Sequence, residues 1–239
     1  MRSSLRVIPS LAVGQQMADS LLEQARRRFE NDRYVALRSL IDDDLAAMLY
    51  GHIQRRVEAG NIPQSQSHGM DASLEDFADS LMEHVLKGVQ PRVEELCGLK
   101  LYPTYSFFRL YRTGSTLRHH RDRPSCEISV SVNLGPKLET PWPLWVSGPQ
   151  GAKAVELAPG DALLYRGVEC EHWRDRFEGE ELAQVFLHYV DQDGPYRDYK
   201  FDQRPALGMG PHTRGALTEE PGAPKPAPRV SEPEMSGTE

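Results

Sequence analysis

Tyr111-Arg-Thr-Gly-Ser-Thr-Leu-Arg-His-His-Arg-Asp122 is the most informative segment of this 239-residue chain. His120 and Asp122 stand two residues apart. On a strand, positions i and i+2 project to the same face, so both side chains can reach one ion. Two histidines and one carboxylate on one face leave the remaining positions of an octahedral ferrous ion open. The third ligand is then expected from a distant strand that closure of a barrel brings alongside. Gly160-Asp-Ala-Leu-Leu-Tyr-Arg-Gly-Val-Glu-Cys-Glu-His172 supplies it as a tight turn, a strand and a histidine. His119 competes with His120, but on a strand it faces the other side and has Arg121 rather than a carboxylate at its own i+2. It reads as a solvated residue or one standing behind the ligands.

Outward from this segment, residues 101–190 read as short β segments between turns. Candidate strands are 106–111, 128–134, 144–146, 154–157, 162–165 and 183–190, with breakers at Thr113-Gly114, Gly135-Pro136, Gly148-Pro149 and Pro159-Gly160-Asp161. Such spacing predicts a barrel or jelly roll. Residues from about 15 to 100 read as mostly helical. Apolar stripes run through Met17, Leu21, Leu22, Ala25 and Phe29, through Leu45, Met48, Leu49, Ile53 and Val57, and through Phe77, Leu81, Val85 and Val89. Asp42, Asp43 and Asp44 suit the start of the second helix, and Ser73-Leu-Glu-Asp76 is close to a capping box for the third. Residues 34–37 read as a short strand and 60–69 as a polar loop. The expected architecture is mainly β with N-terminal helices (α+β). It comprises a helical part, 1–100, packed on a β core, 101–204, as one domain, and a Pro-rich disordered tail, 205–239.

Composition excludes several classes. The formal net charge is −7 and no run of Lys and Arg is long enough to track phosphates, which disfavours nucleic-acid or anionic-membrane partners. No apolar run approaches a membrane span, and the opening residues contain no secretory apolar core. Cys97, Cys126 and Cys170 are odd in number and widely spaced, so neither a disulfide framework nor a cysteine-rich zinc site is expected. A reducing cytoplasm is the simple expectation.

Tyr111-x-x-Gly114-x-x-Leu117-x-x-His120-x-Asp122, then Glu127-Ile-Ser-Val-Ser-Val-Asn-Leu-Gly135, then Gly160-Asp-Ala…His172, resembles the 2-oxoglutarate- and iron(II)-dependent dioxygenases, most of all their prolyl 4-hydroxylase-like branch. The resemblance covers roughly residues 100–190. It implies a double-stranded β-helix (jelly roll) braced by helices, with Fe(2+) held by His120, Asp122 and His172. It also implies 2-oxoglutarate as co-substrate and molecular oxygen as oxidant. The implied reaction decarboxylates 2-oxoglutarate to succinate and hydroxylates an unactivated C–H bond of a small molecule or peptidyl side chain. L-ascorbate commonly keeps such iron reduced.

One departure stands out. Family members usually place an Arg or Lys nine to eleven residues after the last histidine, to meet the distal carboxylate of 2-oxoglutarate. Glu181, Leu182 and Ala183 occupy those places here. Because an unpaired buried carboxylate is costly, a substitute cation is expected. Arg174 shares the face of His172 on an extended chain, with Arg109 the next choice and Arg176 continuing the parity; Arg174 could instead pair with Asp175 or a surface acid. Tyr111 is a candidate contact to the co-substrate or a core tyrosine, and Tyr105 and Asn133 flank it. His188 reads as a strand residue rather than a fourth ligand. Trp142, Trp145 and Trp173 could line a substrate mouth or simply pack, and 60–69, 137–142 and 196–204 are candidate lids. Two other readings stay open: a metal-dependent oxygenase that does not use 2-oxoglutarate, and a retired barrel that only binds.

Overall fold

Strict alternation along the strands sets the architecture. The structure, a computed structural model, describes residues 11–62 and 73–209, with side chains from residue 19 onward. In chain order the elements are α1 (Leu11–Asp32), β1 (Tyr34–Leu37), α2 (Asp43–Glu58), β2 (Leu74–Phe77), α3 (Ser80–Cys97), β3 (Leu101–Arg112), β4 (Leu117–His120), β5 (Ile128–Gly135), β6 (Leu144–Gly148), β7 (Gly151–Val155), β8 (Ala162–Arg166), β9 (Glu171–Arg174) and β10 (Glu181–Asp191). Short 3-10 turns occupy Pro124–Cys126 and Arg197–Gln203. A six-stranded antiparallel sheet runs β1-β8-β5-β10-β3-β2, and a four-stranded one β4-β9-β6-β7. From β3 onward the chain passes repeatedly between the two sheets, which is the winding of a double-stranded β-helix.

The large sheet is buried on both faces. Ile128, Val130 and Val132 of β5 and Ala183, Val185 and Leu187 of β10 join one apolar core with Phe29 of α1, Leu49 and Ile53 of α2, and Leu86 and Val93 of α3. The helices therefore brace one face. Between the sheets lie the alternate residues, among them Ser129, Ser131, Leu182, Gln184, Phe186 and His188. The β10–β3 register sets Tyr111 opposite Leu182, Arg109 opposite Gln184 and Phe107 opposite Phe186, then Tyr105 opposite His188. This row forms the barrel interior.

Two local expectations need correction. Residues 73–76 do not cap the third helix: Leu74–Phe77 is a strand on the edge of β3, and Phe77 belongs to it. The cap is Asp79, whose side chain accepts from the backbone N–H of Leu81 and Met82. Pairing with β3 gives part of this segment's backbone ladder hydrogen bonds in place of helical ones. Met48, placed on the second apolar stripe, is 44% exposed. Asp42 does cap α2, accepting from the N–H of Leu45 at 2.7 Å. Most of the polar loop 60–69 and residues 210–239 of the tail lie outside the described residues. Residues 204–208 are tied down, since Arg204 donates to Glu83 at 2.5 Å and the Gly208 N–H also bonds Glu83. No helix among the described residues is long and apolar enough to cross a membrane.

Candidate metal centre

β4 and β9 pair so that His120 lies directly opposite His172. Asp122 does not continue the strand, as the i, i+2 argument assumed. β4 ends at His120, and Asp122 sits in the following turn, where its N–H donates to the carbonyl of Gly167 at 3.0 Å. A Cβ at Gly167 would overlap the carbonyl of Cys126 and the carboxylate of Asp122, so only glycine leaves room there. His120, Asp122 and His172 nevertheless converge, each offering one ligand atom within 4.8 Å of the others.

Backbone carbonyls set both imidazole tautomers. His120 donates its Nδ1–H to the Arg118 carbonyl at 2.8 Å, and His172 donates its own to the Cys170 carbonyl at 3.1 Å. Both Nε2 lone pairs face the same oxygen, Asp122 Oδ1, which lies 3.8 Å from His120 Nε2 and 3.6 Å from His172 Nε2; the Tyr165 hydroxyl also reaches His172 Nε2, at a long 3.5 Å. The second carboxylate oxygen, Oδ2, accepts from Ser129 Oγ at 2.9 Å. His172 is buried, which lowers its pKa against the pull of Asp122 and keeps it a neutral ligand. Two neutral imidazoles and one carboxylate oxygen, gathered at the open side of a cavity, fit a divalent first-row ion with several positions left for exogenous ligands.

The cavity over these three residues measures about 170 Å³ and is lined also by Tyr105, Phe107, Arg109, Leu117, Tyr165, Phe186 and His188. His188 is therefore a site residue. Sequence parity placed it on a strand, but only the closed barrel shows that its face is the metal's. Ser129, Gly167 and Glu75 were missed likewise, because each acts through a partner remote in sequence.

The arginine candidates separate sharply. Arg109 faces the metal cavity, yet its Nε and Nη2 donate to Glu75 Oε2 at 3.0 and 2.7 Å. Arg176 is exposed and pairs with Glu178. Arg174 is 3% exposed and has no carboxylate partner among the described residues, so its expected alternative pairing with Asp175 does not occur. Asp175 instead accepts from Trp145. Arg174 has one hydrogen bond, to the Trp142 carbonyl; its Nε has none, and its guanidinium lies 4.4 Å over the Trp142 ring. Burial lowers its pKa to about 10, which still leaves it charged at neutral pH.

Of the three residues at the usual cation position, Glu181 turns outward to bond Tyr50 and Gln54 of α2, and Ala183 joins the helix-side core. Only Leu182 faces inward. Arg174 and Leu182 line one cavity of about 210 Å³, separate from the metal cavity and lined also by Asn133 and Trp142. Arg174 is thus a buried cation on β9, whereas β10 carries none at these three positions. Tyr111, fully buried and cross-strand from Leu182, has its ring 6.0 Å from the Arg174 guanidinium and its hydroxyl unpartnered among the described residues. The Gln184 amide and the Ser131 hydroxyl, also in the barrel, are buried without partners among the described residues. A dry barrel would not leave so many polar atoms unsatisfied.

The remaining candidates lie outside the metal cavity, though Asn133 and Trp142 share the Arg174 cavity. Asn133 holds its own turn, bonding the Leu157 carbonyl and the Gly135 N–H. Trp142 packs beneath Arg174, and none of the three tryptophans lines the metal cavity. Trp173 stacks between His119 and Trp145 on the outer face of the small sheet, and His119 stays 58% exposed. Residues 137, 138, 141 and 142 line the cavity that Arg174 also lines, and 137–142 line a second one; neither cavity includes His120, Asp122 or His172.

No family model matches the chain, and no curated protein does. Solved structures match closely in fold. The non-heme alpha ketoglutarate dependent epimerase SnoN from nogalamycin biosynthesis, in complex with Fe3+ and alpha ketoglutarate, superposes with TM-score 0.65 at 14% identity over 81% of this chain and 93% of that one. A Pseudomonas putida prolyl-4-hydroxylase superposes with TM-score 0.59 at 16% identity over 71% and 100%. A Trichoplax adhaerens prolyl hydroxylase in complex with a hypoxia inducible factor peptide fragment gives 0.60 at 11% over 77% and 95%. The chain has the fold shared by these 2-oxoglutarate-Fe(II) oxygenases, the double-stranded β-helix.

Proposed function

We propose that this protein is an Fe(II)- and 2-oxoglutarate-dependent dioxygenase, hydroxylating an unactivated C–H bond of a small molecule or peptidyl side chain. The observation that carries the reading is the pairing of a His120–Asp122–His172 ligand set with a buried, carboxylate-free Arg174 two residues beyond His172. His120 and His172 would hold the metal through Nε2, and Asp122 through Oδ1. When bound, the iron and the 2-oxo acid together activate dioxygen, converting the 2-oxo acid to succinate and carbon dioxide.

The chain's own residues supply binding and orientation. A guanidinium in a low-dielectric barrel favours a dicarboxylate because each charge, left alone, is costly to bury. Tyr111, with its free hydroxyl, suits the same ligand. Phe107, Phe186 and Tyr105 present an apolar wall that would exclude water beside the metal and favour an apolar C–H donor. Substrate identity is set by this wall and the loops around it rather than by the barrel.

Anaerobic titration of the ferrous protein with 2-oxoglutarate tests the reading, by a saturable visible charge-transfer band. A bound ferrous ion that gives no band with 2-oxoglutarate would instead favour an oxygenase of the same fold that works without it. Failure to bind iron at all would leave a barrel that only binds.

A further inference from the structure

Ser129 and His188 are buried on neighbouring strands of the large sheet and meet behind the candidate metal ligands. Ser129 Oγ lies within hydrogen-bond distance of Asp122 Oδ2 at 2.9 Å, the Cys126 carbonyl at 3.0 Å and His188 Nδ1 at 2.9 Å, and the Tyr165 hydroxyl also approaches it. Two of these can only accept. The hydroxyl has one proton, and a charged carboxylate is the stronger acceptor of it. His188 Nδ1 must then be the donor to Ser129 Oγ, since a bare lone pair there would face the oxygen's own. That sets the tautomer of His188 as Nδ1–H, with Nε2 an acceptor in a ring that lines the metal cavity.

We infer that His188 and Ser129 form a relay, His188 Nδ1–H to Ser129 Oγ–H to Asp122 Oδ2, which holds Asp122 as a one-oxygen ligand. The inference rests on the proposed metal site and concerns its geometry. A free carboxylate can turn to grip a cation through both oxygens. Here Oδ2 is tethered while Oδ1 faces both imidazoles. Keeping Oδ2 off the metal preserves one more coordination position for exogenous ligands. The other groups packed around His188 agree with a neutral ring: Tyr105 lies against it at 4.6 Å, and Arg123, beside Asp122, is paired with Asp202 at 2.7 Å. Ser129 and His188 are positioning residues on this account.

The test uses the full-length apo protein and Co(II) as probe, followed by its visible spectrum, with circular dichroism to confirm folding. Wild type should bind Co(II), and His120→Ala should not. Ser129→Ala should weaken binding roughly 10–100-fold, the usual effect of removing a group that orients a ligand, and change the band shape as Asp122 becomes free to bind through both oxygens. Ser129→Thr, which keeps the hydroxyl, should restore both. At position 188, asparagine places an amide N–H near the site of Nδ1, whereas phenylalanine does not. His188→Asn should therefore track wild type and His188→Phe should track Ser129→Ala. Wild-type affinity and spectrum in a folded Ser129→Ala protein would overturn the relay while leaving the metal site standing. Equal losses in His188→Asn and His188→Phe would overturn the donor role of His188. Absence of Co(II) binding by wild type would remove the metal site and the relay together.

Discussion

His120 and His172 are partners across the β4–β9 ladder, and each donates its Nδ1–H to the backbone carbonyl two residues earlier in the chain. The same local device is thus used twice, fifty residues apart, to aim two Nε2 lone pairs at one point. Their rings stand 4.1 Å apart at 49°. Such pre-setting matters because a ligand that must first choose its tautomer and rotamer binds a metal more weakly.

Removing either imidazole should therefore end tight metal binding. His172→Ala and His120→Ala are each expected to abolish iron-dependent turnover and to lose Co(II) or Fe(II) binding at micromolar concentrations in equilibrium dialysis. Retained binding in His172→Ala would exclude it as a ligand.

Arg174→Met should separate stability from co-substrate binding. An unpaired buried guanidinium is costly, and replacing a buried charge by an apolar side chain of similar length is often neutral or stabilising. The variant's melting temperature without ligand should equal or exceed wild type. Wild type should gain about 2.7 kcal/mol at a 2-oxoglutarate concentration 100 times Kd, with iron present. The variant should gain far less. An equal gain would move the carboxylate contact away from Arg174.

Glu75→Gln probes the competing arginine. It removes the charge that pairs with Arg109, itself 8% exposed, and should cost about 3 kcal/mol in denaturant unfolding, since breaking a buried pair strands one charge. It should not tighten 2-oxoglutarate binding if Arg174 is the contact. Tighter binding would show that Arg109, once released, is the anion site.

Gly167→Ala is expected to damage the metal site more than its position in a turn suggests. The added methyl meets the Cys126 carbonyl and the Asp122 carboxylate, and the backbone that yields also holds Asp122 through its N–H. Metal affinity should fall at least tenfold. Wild-type affinity would show that the turn adapts without moving Asp122.

His188 predicts a pH dependence for the metal-free protein. Burial lowers its pKa from 6.5 to about 4, against the pull of Asp122. The unfolded chain therefore binds the extra proton between those values and the folded one does not. Stability should be present in full above pH 6.5 and fall as pH drops toward 4, by about 3 kcal/mol in total from this group. His188→Asn should lack that component. An identical pH profile for the two proteins in chelator would show that His188 ionises as freely folded as unfolded.

By itself the sequence determined what local chemistry and short periods can determine. His120, Asp122 and His172 stood out because their residue types in that order on β-like segments are few, and the strands of the barrel showed in their alternation and turns. Arg174 was reachable by parity, since β9 is extended and i, i+2 neighbours share a face. Only the tertiary structure decided what depends on contacts between distant segments. It set Asp122 beyond the strand, held through Gly167. It paired Arg109 with Glu75, 34 residues away in sequence, and left Arg174 without a carboxylate. It brought His188 to Asp122 through Ser129 and turned Ser73–Asp76 from a cap into the edge of a sheet. The physical reason is the same in each case. Whether a buried charge or imidazole is a free functional group or a satisfied structural one depends on its partners, and closure of the barrel chooses those partners from far along the chain.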